Sequence, residues 1–145
     1  MGTPGTDKLL DAIARAAASL PEVQAAFLFG SHASGRARAD SDVDVAVLLD
    51  TCIAPADGHA RLRRLLEALT ENIAADRLDV VVLNDAPPAL AFQVLKHGKP
   101  AFERDRTALH RFRVQTYTRH SDFESTERFF REATRRRALT GSRRG

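Results

Sequence analysis

The sequence has a single cysteine, Cys52, among its 145 residues. One cysteine excludes an internal disulfide and a cysteine-based zinc cluster, and we interpret Cys52 as a small hydrophobic residue. No apolar run approaches the roughly 20 residues of a membrane-spanning helix, and the N-terminus lacks the basic start and apolar stretch of a secretory signal. We therefore expect a cytoplasmic protein with no membrane partner.

Aromatic residues are scarce in the middle of the chain, where only Phe92 and Phe102 lie between Phe29 and Phe112. Basic charge is concentrated after residue 100: residues 101–145 contain 12 Lys/Arg against 6 Asp/Glu, whereas residues 1–100 contain 10 against 13. A nucleic-acid stacking platform needs aromatic residues interleaved with basic ones, and that arrangement is missing. The basic segment could bind nucleic acid or an acidic protein, but a solvated arginine-rich helix face is the commoner explanation, and we do not favour a nucleic-acid partner.

The composition, 43% hydrophobic and 28% charged, is typical of a globular domain. We predict one domain over residues 1–140 and a disordered tail over 141–145. The hydrophobic periodicity predicts strands over 23–29, 43–49, 79–83 and 99–103. It predicts helices over 7–19, 61–74, 87–96 and from about 105, with a restart or kink at Ser121. This order predicts an α/β (α+β) fold: a small mixed sheet flanked by helices, with a long C-terminal helical segment.

The most informative feature is an acidic entry into an apolar strand. Asp40, Asp42 and Asp44 occupy alternate positions just before the run that ends at Leu49. Because strand side chains alternate, Asp42 and Asp44 face the same way, with Cα atoms roughly 6.5–7 Å apart, and Asp79 opens a later apolar strand. Converging carboxylates repel one another unless a cation neutralises them. Such hard oxygen ligands select Mg²⁺ or Mn²⁺, as in two-metal nucleotidyl transfer.

The Asp-x-Asp tripeptide is weak evidence alone, because 12 Asp in 145 residues give about one by chance, and an acidic strand end facing solvent needs no metal. Gly30-Ser31 strengthens the case, since a strand that ends in Gly-Ser offers backbone N–H groups and a hydroxyl to a phosphate. Arg36 and Arg38 could add charge against a triphosphate, although exposed loop arginines commonly do nothing specific. The loop and the strand together predict a nucleotide site.

At these residues the sequence resembles the nucleotidyltransferase superfamily that shares its fold with DNA polymerase β. That family has Gly-Ser, a spacer, Asp-x-Asp on the next strand and a third acidic residue on a later strand. The corresponding residues are Gly30-Ser31, Asp42-Val43-Asp44 and Asp79. The chain is most similar to the short minimal nucleotidyltransferases, or MNT proteins, clearly over residues 25–85 and in the order of its elements along the whole length.

One position departs from the MNT pattern. Where MNT proteins usually have Ala-Arg-Gly, this chain has Ala33-Ser34-Gly35. Either Arg36 or Arg38 supplies the missing charge, or triphosphate binding is weaker.

The resemblance implies an MNT antitoxin that transfers AMP from ATP to a tyrosine hydroxyl of a HEPN-domain ribonuclease toxin, with release of pyrophosphate. The implied nucleotide-binding residues are Gly30, Ser31 and Arg36. The implied metal-binding and catalytic residues are Asp42, Asp44 and Asp79, with Mg²⁺ or Mn²⁺ as the cofactor. His32 lies inside the loop and could contact the nucleotide, although none of the five histidines has metal-ligand spacing.

Two alternatives stay open. The chain could neutralise a toxin by complex formation alone, or it could transfer a nucleotide to another protein or to a small molecule. No domain for recognising a small acceptor is evident after residue 104, which favours a protein acceptor. The C-terminal segment that contains Tyr117 is a candidate docking helix or the last element of the core. The sequence leaves the oligomeric state open.

Overall fold

The chain folds around a four-stranded mixed sheet in a computed structural model that describes residues 4–38, 40–50 and 58–121. The helices are α1 (Pro4–Ala18), α2 (Ser31–Ser34), α3 (Gly58–Thr70), α4 (Pro88–His97) and α5, which begins at residue 106 and is helical to residue 121. The strands are β1 (Val23–Phe29), β2 (Val43–Leu49), β3 (Leu78–Val82) and β4 (Lys99–Glu103). Short 3₁₀ turns at Ala75–Arg77 and Leu83–Asp85 flank β3.

The strand order is β3-β2-β1-β4, so β1 and β2 lie in the middle of the sheet. β2 runs parallel to β3, and β1 runs antiparallel to both β2 and β4. This topology confirms the predicted α/β class and the small mixed sheet. It also brings the C-terminal end of β1 and the N-terminal ends of β2 and β3 to one edge of the sheet, which is called the acidic edge below.

Two apolar cores cover the two faces of the sheet. Val43, Val45 and Val47 of β2 pack with residues of α1 and α3 on one face. Ala46 and Leu48 point to the other face, where they pack with residues of α4 and α5. The apolar run of β2 on both faces therefore reflects a central strand covered on both sides, as the pattern predicts.

The strands β1, β2 and β4 have the predicted bounds, whereas β3 begins and ends one residue earlier than predicted, at Leu78 and Val82. The helix predicted over 61–74 is shifted, because α3 begins at Gly58 and ends at Thr70. Along this segment Leu62 is 37% exposed, while Leu65 and Leu69 of α3 and Ile73 after it are buried. Ile73 reaches the core through a turn in which the N–H groups of residues 72 and 73 donate to the Leu69 carbonyl oxygen.

Several predictions concern residues outside the described ranges. These are Cys52, the helix beyond residue 121 and the tail over 141–145, and with the tail the domain limit at 140 stays a prediction. In the parts of the chain that the structure describes, no helix is both long and apolar enough to cross a membrane.

Candidate active site at the acidic edge

The parallel pairing of β2 and β3 sets Asp44 directly opposite Asp79. Paired strands lie about 4.8 Å apart, so the two carboxylates share one small region of the acidic edge. Asp42 precedes β2 by one residue and lies near enough to Asp44 for its negative charge to raise the pKa of that carboxyl. The structure therefore brings the three predicted carboxylates to one edge. Asp40 is an exposed turn residue outside the strand.

Asp44 is the least exposed of these carboxylates: it is half-buried, whereas Asp42 and Asp79 are exposed. Burial raises the pKa of Asp44, and the negative charges of Asp79 and then Asp42 raise it further. The nearby His32 acts in the opposite direction and lowers that pKa. The acidic edge thus carries uncompensated negative charge, which a cation would relieve.

Gly30 lies against the Asp44 carboxylate. Phe29 pairs with Asp44 across β1 and β2, so the chain leaves β1 beside that side chain. Gly30 has φ 74° and ψ −150°, a conformation open essentially to glycine alone. A Cβ atom at this position would overlap the Oδ2 atom of Asp44. The glycine therefore allows the backbone to pass close to the carboxylate.

Residues 30–38 form the phosphate loop, which begins with the single helical turn α2. The Gly30 carbonyl oxygen accepts hydrogen bonds from the N–H groups of Ala33 (3.2 Å) and Ser34 (3.1 Å). The Ser31 carbonyl oxygen accepts one from Arg36 N–H (3.0 Å), and Gly35 closes the turn in the left-handed region with φ 77°. Ser31 is half-buried at the start of this turn, directly after the glycine that contacts Asp44.

The two loop arginines occupy different surroundings. Arg38 lines a cavity of about 340 Å³ together with His32, Gly35 and the first turn of α1. Arg36 is exposed and does not line this cavity. Arg38 is exposed as well, and none of the three aspartates lines this cavity, so both arginines stay candidates for the missing charge.

His32 makes a contact that the sequence pattern does not indicate. Its Nε2 atom lies 3.2 Å from the carbonyl oxygen of Ser41, the residue before Asp42. Ser41 is nine residues away along the chain, and no helical or strand periodicity relates the two positions. A hydrogen bond of this kind depends on the path of the loop, which has no signal in a single sequence.

The donor set at the acidic edge fits a hard divalent cation. Carboxylate oxygens suit Mg²⁺, which usually takes one or two protein carboxylates and completes its shell with water and substrate phosphates. Within the described ranges, no group of three or more His, Cys, Asp or Glu side chains is close enough to hold a metal ion as the side chains stand. Two carboxylates with phosphate oxygens satisfy this preference, and ligation by all three aspartates stays a prediction.

A family model described as Polymerase beta, Nucleotidyltransferase matches residues 11–107, which include the phosphate loop and all three aspartates. Among characterised proteins, the chain is 35% identical over 81 residues to the protein adenylyltransferase MntA of Shewanella oneidensis, an alignment that covers 56% of this chain and 55% of MntA. The aligned segment thus spans about half the length of that relative.

Solved structures show the same fold over most of the chain. A crystal structure of a toxin–antitoxin with AMP-PNP has a TM-score of 0.64 at 25% identity, covering 89% of this chain and 97% of that chain. A second structure contains a tri-AMPylated Shewanella oneidensis HEPN toxin in complex with MNT antitoxin. It has a TM-score of 0.63 at 24% identity and covers 89% of this chain and 98% of that chain. At 24% identity, the similarity to this second structure shows a shared fold and nothing more.

Proposed function

Since the chain belongs to the polymerase beta nucleotidyltransferase family, whose model matches residues 11–107, we propose that it is an MNT-type antitoxin that transfers AMP from ATP to a tyrosine hydroxyl of a cognate HEPN-domain ribonuclease toxin. The observation that carries the proposal is the arrangement of Gly30, Asp44 and Asp79, which places a glycine, a half-buried carboxylate and a second carboxylate at one sheet edge. The relative named protein adenylyltransferase and the structural neighbour solved with AMP-PNP support the choice of donor.

In the proposed reaction, the tyrosine oxygen forms a bond to the α-phosphorus of ATP. The bond between that phosphorus and the oxygen bridging to the β-phosphate breaks, and pyrophosphate leaves. The hydroxyl proton passes to a base, and the exposed Asp79 carboxylate at the acidic edge is the candidate. The balance of the step needs no other reactant.

The proposed site residues fall into a phosphate-binding group and a metal-binding group. Gly30 and Ser31 would hold the phosphates, with Arg36 or Arg38 adding positive charge. Asp42, Asp44 and Asp79 would hold Mg²⁺ or Mn²⁺, which when bound supplies charge neutralisation at the reacting phosphate. Positioning and electrostatics provide most of the catalysis in such transfers, which is consistent with a site built from carboxylates and a loop.

The test is transfer of label from ATP, labelled at the α-phosphate, to the purified HEPN partner in the presence of Mg²⁺. We expect the wild type to label the partner and the Asp42→Asn/Asp44→Asn variant to lose at least about 10²-fold in rate, because electrostatic stabilisation is lost. Asp40→Asn is the matched control: it removes an exposed carboxylate from the same segment and should stay within about twofold of wild type.

The other outcomes separate the alternatives. An unlabelled partner whose ribonuclease is nevertheless inhibited would establish neutralisation by complex formation alone. Undiminished labelling by the double variant would contradict the assignment of Asp42 and Asp44. Label on a small molecule and none on the partner would establish a different acceptor.

A further inference from the structure

We propose that His32 is a positioning residue that fixes the phosphate loop relative to the aspartates of β2 by donating a hydrogen bond from Nε2 to the Ser41 carbonyl oxygen. This inference rests on the proposed function, because it concerns the geometry of the same nucleotide site. It assigns a role to a side chain outside the Gly-Ser and Asp-x-Asp residues.

The chemistry of the contact determines its direction. The two atoms are 3.2 Å apart, and both residues are half-buried. A backbone carbonyl oxygen only accepts, so the proton must be on Nε2 of His32. The contact therefore specifies the Nε2–H tautomer whenever the ring is neutral.

The acceptor is itself held in place. The Ser41 N–H donates to the Arg38 carbonyl oxygen (3.1 Å), and the Ser41 hydroxyl oxygen accepts from the Arg38 N–H (2.7 Å). Both bonds close the turn that precedes β2. Since Asp42 follows Ser41 directly, a fixed Ser41 also restricts the backbone position of Asp42.

The donor end is equally well anchored. His32 is the second residue of α2, and the turn is closed by hydrogen bonds from Ala33 and Ser34 to the Gly30 carbonyl oxygen. Gly30 in turn lies against the Asp44 carboxylate. The phosphate loop therefore contacts the β2 segment at two points: Gly30 lies against Asp44, and His32 donates to Ser41. Together these two contacts fix the distance between the phosphate loop and the aspartates of β2.

Electrostatics support the placement of the ring near the carboxylates, because His32 lowers the pKa of Asp44 against the effect of burial. The side chain is polar and only half-buried, so it contributes less to apolar packing than the buried core residues do. It also lines the cavity between the loop and the first turn of α1. Loss of this bond is therefore expected to affect the site more than the free energy of unfolding.

The expected kinetic effect follows from positioning. A misplacement of about 1 Å between bound reactants and catalytic groups can reduce the rate about 10²-fold. Without the bond, the loop keeps its phosphate-binding groups and β2 keeps its carboxylates, so nucleotide affinity should change less than turnover. The signature is a fall in kcat with little change in KM for ATP.

The experiment compares His32→Leu, His32→Gln and His32→Asn in the labelling assay with the HEPN partner. Gln extends far enough to offer a donor near the Nε2 position, whereas Asn is too short and Leu has no donor. We expect Leu and Asn to lower kcat about 10–10²-fold with KM for ATP within about threefold, and Gln to recover most of the rate. His110→Leu, an exposed histidine on α5, is the control and should behave as wild type.

Several results would overturn the role of His32. Full activity of both His32→Leu and His32→Asn would exclude a positioning role. A loss of kcat in His32→Gln equal to that in His32→Leu would also exclude it, because the imidazole ring and not the hydrogen-bond donor would then be what the reaction requires. Thermal unfolding of each variant checks folding, and if the Leu variant does not fold, the Gln and Asn pair decides. A ¹⁵N spectrum of the neutral imidazole showing the Nδ1–H tautomer would also contradict the hydrogen bond. A wild-type chain that transfers no nucleotide would overturn the proposed function, and this inference with it.

Discussion

Position 30 requires glycine for two separate reasons. Its positive φ is rarely adopted by other residues, and a Cβ atom would overlap Asp44. We expect Gly30→Ala to lower the free energy of unfolding by about 1–3 kcal/mol and to reduce transfer at least about 10²-fold, because the added methyl group displaces the carboxylate. Urea denaturation and the labelling assay measure the two effects.

Gly35→Ala is the matched control for this change. Gly35 also has a positive φ, but a Cβ atom there would meet nothing within 4 Å. The substitution should therefore cost about 1–2 kcal/mol of backbone strain with a much smaller loss of transfer. Equal activity losses in the two variants would show that strain in the loop, and not the contact with Asp44, explains the requirement at Gly30.

Asp44 should make folding stability depend on pH. Its pKa is raised above the ordinary value of 3.8, so the folded chain binds this proton more tightly than the unfolded chain. The ionised carboxylate therefore destabilises the metal-free folded state near neutral pH. That penalty disappears as the pH falls through the raised pKa toward 3.8. Without metal, Asp44→Asn should be more stable than wild type near pH 7, with a difference that shrinks on acidification.

Urea denaturation with EDTA across this pH range checks the prediction for Asp44. Asp40→Asn serves as the control, because Asp40 is an exposed turn residue that contributes nothing to the raised pKa of Asp44. Two results would contradict a destabilising Asp44 charge: an Asp44→Asn variant less stable than wild type near pH 7, or a stability gain of that variant that grows as the pH falls.

Among the elements, the central strand β2 was the most predictable. Alternation along a strand is a local property, so the pattern of residues from Val43 to Leu49 was enough to predict the bounds of β2 and its burial on both faces. The partners of a strand are a non-local property. The sequence indicated that Asp79 could join Asp42 and Asp44, but the parallel register that sets it opposite Asp44 arises from packing between segments about 35 residues apart. Likewise, α2 is too short for periodicity to distinguish it from a loop.

The end of β2 opposite the acidic edge is held by a side chain that no pattern indicated. Asn84 accepts a hydrogen bond from Leu49 N–H and donates one to the Leu49 carbonyl oxygen, each 2.9 Å long. Asn84→Ala removes the hydrogen bonds to both the N–H and the carbonyl oxygen of Leu49, so we expect a loss of about 1–3 kcal/mol in the free energy of unfolding. Asn84 lies in the 3₁₀ turn after β3 and binds Leu49, at the end of β2 opposite Asp44, so transfer per folded molecule should be unchanged. Asn72→Ala, at an exposed asparagine, should be nearly neutral. An equal loss in both variants would contradict the pairing.

At the scale of the whole molecule, the helices pack on the two faces of the sheet, and among the described residues Asp42 and Asp79 at the acidic edge are exposed. The family resemblance based on Gly30-Ser31, Asp42-Val43-Asp44 and Asp79 is confirmed by the family match over residues 11–107. These residues were identifiable because the chemistry of phosphate and metal binding restricts residue type and order. The position of Arg38 in a cavity and the contact made by His32 were not identifiable, since both depend on how the loop folds back on α1 and β2.

Ligand binding at the acidic edge should stabilise the entire fold, because a ligand that binds only the folded chain shifts the unfolding equilibrium. At a concentration 100-fold above its Kd, Mg²⁺·AMP-PNP is expected to add about 2.7 kcal/mol to the free energy of unfolding. For a chain of 145 residues this corresponds to a rise of roughly 5–11 °C in Tm. Thermal unfolding followed by circular dichroism measures the shift.

The controls for this shift separate the metal from the nucleotide. AMP-PNP with EDTA should stabilise the wild type much less, because the phosphates then face the carboxylates without a cation between them. The Asp42→Asn/Asp44→Asn variant should respond weakly to Mg²⁺·AMP-PNP, whereas Asp40→Asn should respond like wild type. A full shift in the double variant would mean that the nucleotide binds without these carboxylates, and the metal would then have to be held elsewhere on the chain.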